Sequence, residues 1–140
     1  MKSFEASIAI EAPPEKVWGV LMDTPAYPEW DPFCDRIEGE VALGGKLKAY
    51  SKLSPGRAFP VRVTELEPSR RMTWTGGMPL GLFTGRRTFS LEGDGSRTDF
   101  TMREVFSGPM LFLIGGSLPD MTEAFDAFAR GLKARAEAAG

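Results

Sequence analysis

Two charged residues fall on a face that should be apolar. Arg87 stands in the alternating run Arg87, Phe89, Leu91, and Glu104 in the run Phe100, Met102, Glu104, Phe106. Asp94-Gly95 separates the two runs and is the clearest hairpin signal in the chain. As the turn, it sets Leu91 opposite Thr98, Phe89 opposite Phe100 and Arg87 opposite Met102, with Glu104 diagonal to Arg87. Both charges then point inward, while Arg86 faces solvent. A charge on an apolar face is costly unless paired. An Arg87–Glu104 couple would therefore hold itself together, either as a structural ion pair or as a polar grip on a ligand group. In a catalytic site Glu104 would act as base or acid and Arg87 would hold an enolate.

The chain contains no histidine. That removes Ser-His-Asp and Cys-His nucleophile systems and all His-ligated zinc or iron sites. Asp23, Asp31 and Asp35 cluster after the first predicted helix but lack the spacing of a hard-cation loop, so capping and turn bonding are their expected work. No metal or cofactor is expected. The single cysteine, Cys34, cannot form an intramolecular disulfide and fits a reducing compartment. Without histidine its thiolate lacks the usual activator, and a small core residue is its expected role. A net charge of −2 gives no reason to expect nucleic acid as partner. The N-terminal residues run straight into a strand pattern, and the apolar run Met110 to Ile114 is far too short to span a bilayer. A cytoplasmic protein with no integral membrane segment is the expectation.

The elements that must position Arg87 and Glu104 are organised around the last stretch, Pro119 to Ala139. Met121, Ala124, Phe125, Phe128, Ala129, Leu132 and Ala136 recur at spacings of three and four, an apolar stripe on a helix of roughly 30 Å. Ser117 or Asp120 can cap it. At the other end, Phe4, Ala6, Ile8 and Ile10 alternate with polar residues as a half-buried strand. Pro13-Pro14 then starts a short helix, and Pro25 and Pro28 break the chain into two short helical pieces.

The strands that follow keep consistent parity: Ile37 and Val41, then Leu47, Ala49, Ser51 and Leu53. Val61 and Val63 fall in register with Trp74 and Met72 if Pro68-Ser69 is a two-residue connection. Lys46, Lys48 and Lys52 make a solvated face. The pattern predicts an α+β fold, with a curved antiparallel sheet of about seven strands wrapped around the long C-terminal helix and two short helices after the first strand. Nothing interrupts it, so residues 1–140 are expected to form a single domain.

Between a curled sheet and one helix there is more room than two layers of side chains fill, which predicts a cavity. Met72, Trp74, Met121, Phe125 and Phe128, with Phe89, Phe100 and Met102, would either line it or form plain core. Two stretches, 76–83 and 108–116, combine glycine with Met78, Leu80, Phe83, Met110 and Phe112. They would form the pocket mouth, or a buried turn closing the core.

The segment Ala12-Pro13-Pro14-Glu15-Lys16-Val17-Trp18-Gly19-Val20-Leu21-Met22-Asp23, followed by Tyr27-Pro28-Glu29-Trp30-Asp31-Pro32-Phe33, resembles the opening of the START-like (SRPBCC) superfamily. That group includes polyketide cyclase/dehydrase and lipid-transport relatives. The resemblance implies a helix-grip fold with an internal hydrophobic pocket. It carries no shared catalytic motif, and Val17, Trp18, Asp23, Tyr27, Trp30 and Pro32 match as scaffold. Three function classes follow. The first is a carrier or sensor of a small hydrophobic molecule such as a lipid, polyketide or aromatic. The second is a cyclase/dehydratase-like enzyme using Glu104 and Arg87. The third is a chaperone-regulating or toxin-like interaction module working through the apolar loops, its protein partner unnamed by the sequence.

Overall fold

Seven runs of alternating residues become seven antiparallel strands. The computed structural model describes residues 2–114 and 120–138. Its strands are β1 (Lys2–Ile10), β2 (Cys34–Glu38), β3 (Lys46–Ser51), β4 (Ala58–Glu67), β5 (Arg71–Met78), β6 (Phe83–Gly93) and β7 (Thr98–Ser107). The spatial order β1-β7-β6-β5-β4-β3-β2 makes β2 to β7 a meander, with β1 laid against β7. Helix α1 (Pro14–Met22) and a 3₁₀ helix (Thr24–Glu29) fill the link from β1 to β2. After β7 come the short α2 (Leu111–Ile114) and the long α3 (Thr122–Glu137). The curled sheet grips α3, which packs on β1 and α1, in the helix-grip α+β architecture.

The apolar stripe of α3 is buried as its spacing requires: Phe125, Phe128, Ala129, Leu132 and Ala136 are all inside. The helix is shorter than its pattern suggests, 16 residues and thus about 24 Å. Its first turn is fixed by Asp120, whose Oδ1 accepts from the Thr122 N–H at 3.0 Å. The expected start at Pro119, the alternative cap Ser117 and the expected end at Ala139 lie outside the described residues.

Two expected registers need correction. In the β6–β7 hairpin, Asp94 Oδ1 accepts from the N–H groups of Ser96 and Arg97 at 2.9 and 3.1 Å. The Asp94 N–H donates to the Arg97 carbonyl at 3.0 Å. Gly95-Ser96 is therefore the turn, and the pairs become Leu91 with Phe100, Phe89 with Met102, and Arg87 with Glu104. A slip of two residues leaves each side chain on its expected face. Between β4 and β5, Val63 pairs with Trp74, but an irregularity after Val63 sets Leu66 opposite Met72, and Val61 faces Gly76.

Strand β2 also ends earlier than its parity suggests, so Val41 lies beyond it. Gly39 takes φ +104°, and a side chain there would strike the Lys46 carbonyl oxygen. Strand β3 likewise stops at Ser51, and the Leu53 N–H turns back to Ser51 Oγ at 3.1 Å.

The core lies between the sheet and α3 and continues under α1. Ile10, Val17, Leu21, Val63, Met72, Phe89, Phe100 and Leu132 are fully buried in it. Phe128 sits at its centre, with the rings of Trp30, Tyr27, Phe89 and Phe100 all within 6.1 Å.

Candidate functional site

The sheet and the first half of α3 do not close on each other completely. A cavity of about 350 Å³ remains between them. Of the residues expected to bind a ligand, Trp74, Arg87, Met102, Glu104, Met121, Phe125 and Phe128 line it. Met72, Phe89 and Phe100 do not: they form the packed layer behind the wall, 0% exposed. Of the expected mouth residues, Phe83 lines the cavity and is buried. Met78, Leu80, Met110 and Phe112 lie outside the lining; Leu80 and Phe112 are 96% and 92% exposed. Leu80 adopts φ 62°, a left-handed turn between β5 and β6 that puts its side chain in water.

The structure also brings in residues that sequence reasoning did not assign to the site. From the segment around the 3₁₀ helix come Tyr27, Asp31 and Cys34; from β2 to β4 come Ile37, Ala49, Phe59 and Val61. The inward parity of Ile37, Ala49 and Val61 was the available signal. Tyr27 lies in the short 3₁₀ helix, Asp31 in the link after it and Cys34 at the first position of β2, where no run of periodicity is long enough to point a side chain inward.

Arg87 and Glu104 face each other directly across β6 and β7. Arg87 Nε donates to Glu104 Oε1 at 2.7 Å. The Glu104 side chain is 13% exposed and that of Arg87 30%. Arg87 also lies over the Phe125 ring, 5.0 Å from its centroid, so the cation is held by a charge on one side and an aromatic face on the other.

Asp31 is 8% exposed, and its Oδ1 accepts from the Phe33 N–H at 3.1 Å. Burial raises its carboxyl above its ordinary value, against a smaller opposing pull from that hydrogen bond and from Arg87. Burial first, then the charges of Asp31 and Asp35, push the Cys34 thiol up to about 11, so it stays protonated and a poor nucleophile. The Tyr27 hydroxyl donates to the Leu21 carbonyl at 2.7 Å, and burial raises its pKa far above normal. The indole N–H groups of Trp30 and Trp74 are buried without an acceptor among the described residues. Those residues also contain no cluster of three His, Cys, Asp or Glu side chains able to hold a metal ion. No described helix is long and apolar enough to cross a membrane.

A family model for polyketide cyclase / dehydrase and lipid transport proteins matches residues 1–137. The chain belongs to this family. Among curated proteins nothing matches the sequence. Solved structures share the fold at low identity. A hypothetical protein from Helicobacter pylori is 17% identical with a TM-score of 0.78, over 97% of this chain and 88% of that one. The Zhui aromatase/cyclase from Streptomyces is 16% identical with a TM-score of 0.74, over 97% and 93%. A START superfamily protein from Mycobacterium smegmatis is 16% identical with a TM-score of 0.70, over 96% and 97%. At such identities the likeness is one of fold.

Proposed function

We propose that the protein binds a small hydrophobic molecule, a lipid, polyketide or aromatic, in the cavity between sheet and α3, and serves as its carrier or sensor. The observation that carries this reading is an apolar hollow of about 350 Å³ in an otherwise packed core, a size within the range of small-molecule pockets. Membership of a family that includes lipid transport supports it.

Nile red, an uncharged dye that brightens in apolar surroundings, tests it. It should bind stoichiometrically to the native protein. Ala124→Trp, which places an indole into the cavity from α3, should abolish binding while the circular dichroism spectrum is unchanged. A panel of fatty acids, quinones and flavonoids should contain at least one compound that raises the melting temperature. Absent dye binding, together with a flat panel, defeats the reading.

The ion pair inside the cavity favours a second reading, a cyclase- or dehydratase-like enzyme. Glu104 would take a proton from a carbon between two carbonyls, and Arg87 would hold the enolate oxygen. Positioning within a shaped cavity supplies much of the rate in such chemistry. A linear poly-β-ketone thioester incubated with the protein should then return ring-closed product by chromatography, and Arg87→Met should return none. Unchanged thioester with the native protein leaves the carrier.

A further inference from the structure

The charges on the cavity wall restrict what can occupy it. Among the described residues three charged side chains line it: Arg87, Glu104 and Asp31. One is positive and two are acidic. The cation is already taken up, with Glu104 Oε1 2.7 Å from Arg87 Nε. Burial favours the protonated form of Asp31, which at most removes one negative charge. The wall therefore carries no net positive charge in either state. An ionised carboxylate entering here would lose its hydration and meet no uncompensated cation, with the Glu104 carboxylate as a neighbour.

The second oxygen of Glu104 is placed differently. Its Oε2 has no hydrogen-bond partner among the described residues. It lies 3.3 Å from where a side chain would begin at Gly85, and the Phe106 ring lies 3.1 Å from the same point. Gly85 is an inward position of β6, between Phe83 and Arg87, and lines the cavity. A glycine weakens a strand interior. Here the missing side chain lets the Phe106 ring and the Glu104 carboxylate close over the strand, and leaves Oε2 as an unused anionic acceptor on the cavity wall. An acceptor of that kind in a low-dielectric site is satisfied by a hydrogen-bond donor.

We propose that the cavity selects an uncharged apolar molecule bearing a hydroxyl group, whose O–H is taken by Glu104 Oε2 on the cavity wall, and that it excludes ionised carboxylates such as fatty acids. This rests on the cavity reading above and narrows it to one ligand class.

Three probes on one ring system test it: naphthol, its methyl ether and naphthoate, each displacing Nile red at neutral pH, where naphthol is neutral and naphthoate ionised. Naphthol should bind at least about tenfold tighter than the ether, the expected worth of a hydrogen bond to a charged acceptor. Naphthoate should bind weakest. Gly85→Ala sets a methyl 3.3 Å from Oε2 and 3.1 Å from the Phe106 ring, so it crowds the acceptor and should cut naphthol's advantage over the ether. Glu104→Gln leaves Arg87 uncompensated and should raise naphthoate affinity by about tenfold or more. Where Glu104→Gln fails to fold, the native comparison and Gly85→Ala decide the matter alone. Naphthoate binding as well as naphthol, or naphthol no better than its ether, overturns the proposal and leaves the cavity reading intact as long as Nile red binds. Nile red failing to bind the native protein removes both.

Discussion

Glycine in the middle of a helix normally destabilises it by about 1 kcal/mol relative to alanine, and α3 carries one at Gly131. Its surroundings reverse the usual sign. A Cβ at Gly131 would sit 2.0 Å from the carbonyl oxygen of Trp30, 3.0 Å from the carbonyl carbon and 3.3 Å from the indole ring. The nearest obstacle is backbone, so no rotamer change relieves it; α3 and the residues after the 3₁₀ helix must separate by more than 1 Å. Overpacking of a tight core contact costs roughly 1–3 kcal/mol, and rigid backbone on both sides puts this case at the upper end. Subtracting the propensity gain of about 1 kcal/mol leaves Gly131→Ala destabilising by about 2 kcal/mol. For a chain of this size that is a fall of roughly 6–10 °C in melting temperature. Gly19, inside α1, is the control: a Cβ there meets nothing within 4 Å. Gly19→Ala should stabilise by up to about 1 kcal/mol. Thermal and urea melts of both variants against the native protein make the measurement. If Gly131→Ala melts at or above the native temperature, the close approach of α3 to Trp30 is wrong.

Two further outcomes follow from buried groups in the cavity wall. Asp31 has a folded pKa raised above its unfolded value by burial, so its ionisation opposes folding once pH exceeds the unfolded value. Asp31→Asn, which can still accept from the Phe33 N–H, should be more stable than the native protein at neutral pH. That advantage should shrink to nothing as pH falls through the raised value and then the ordinary carboxylate range; an advantage that grows toward acid pH would refute the assignment. Cys34, with its thiol pushed up to about 11, should react with a disulfide reagent far more slowly in the native protein than in urea at neutral pH, and fast native labelling would contradict its burial.

Strand parity was legible because it needs no register. Arg87, Glu104, Met102 and Trp74 face inward whichever residues form the turns, since successive residues alternate faces. Register was not legible, because the Asp94 carboxylate moves the turn to Gly95-Ser96 through bonds to Ser96 and Arg97. The apolar loops were legible only in part: Phe83 lines the cavity, while Leu80 and Phe112 are exposed. Density of hydrophobes says that a segment is unusual, but the positive φ of Leu80 decides where its side chain goes, and that angle depends on how β5 and β6 meet. The role of Gly131 was invisible, because it depends on a carbonyl one hundred and one residues earlier in the chain.

The hollow and the tight contact at Gly131 are two ends of one arrangement. The cavity-lining residues here run from Met121, just before α3, to Phe128 within it. Beyond Phe128, Ala129, Leu132 and Ala136 join the core at no more than 3% exposure and line nothing. Small residues in that second half, Ala129, Gly131 and Ala136, let the helix come close to its neighbours, and Lys133 Nζ ties it to the Ala9 carbonyl at 2.9 Å. A rod fixed closely at one end and crossing a curved sheet leaves a gap toward the other, where Phe125 and Phe128 span part of the distance and do not fill it. Close packing and the cavity thereby fall on different halves of one helix. Filling the hollow from Ala124 leaves the anchored half untouched, whereas loosening the anchor at Gly131 shifts Trp30 and, through its ring contact at 4.8 Å, the cavity residue Tyr27.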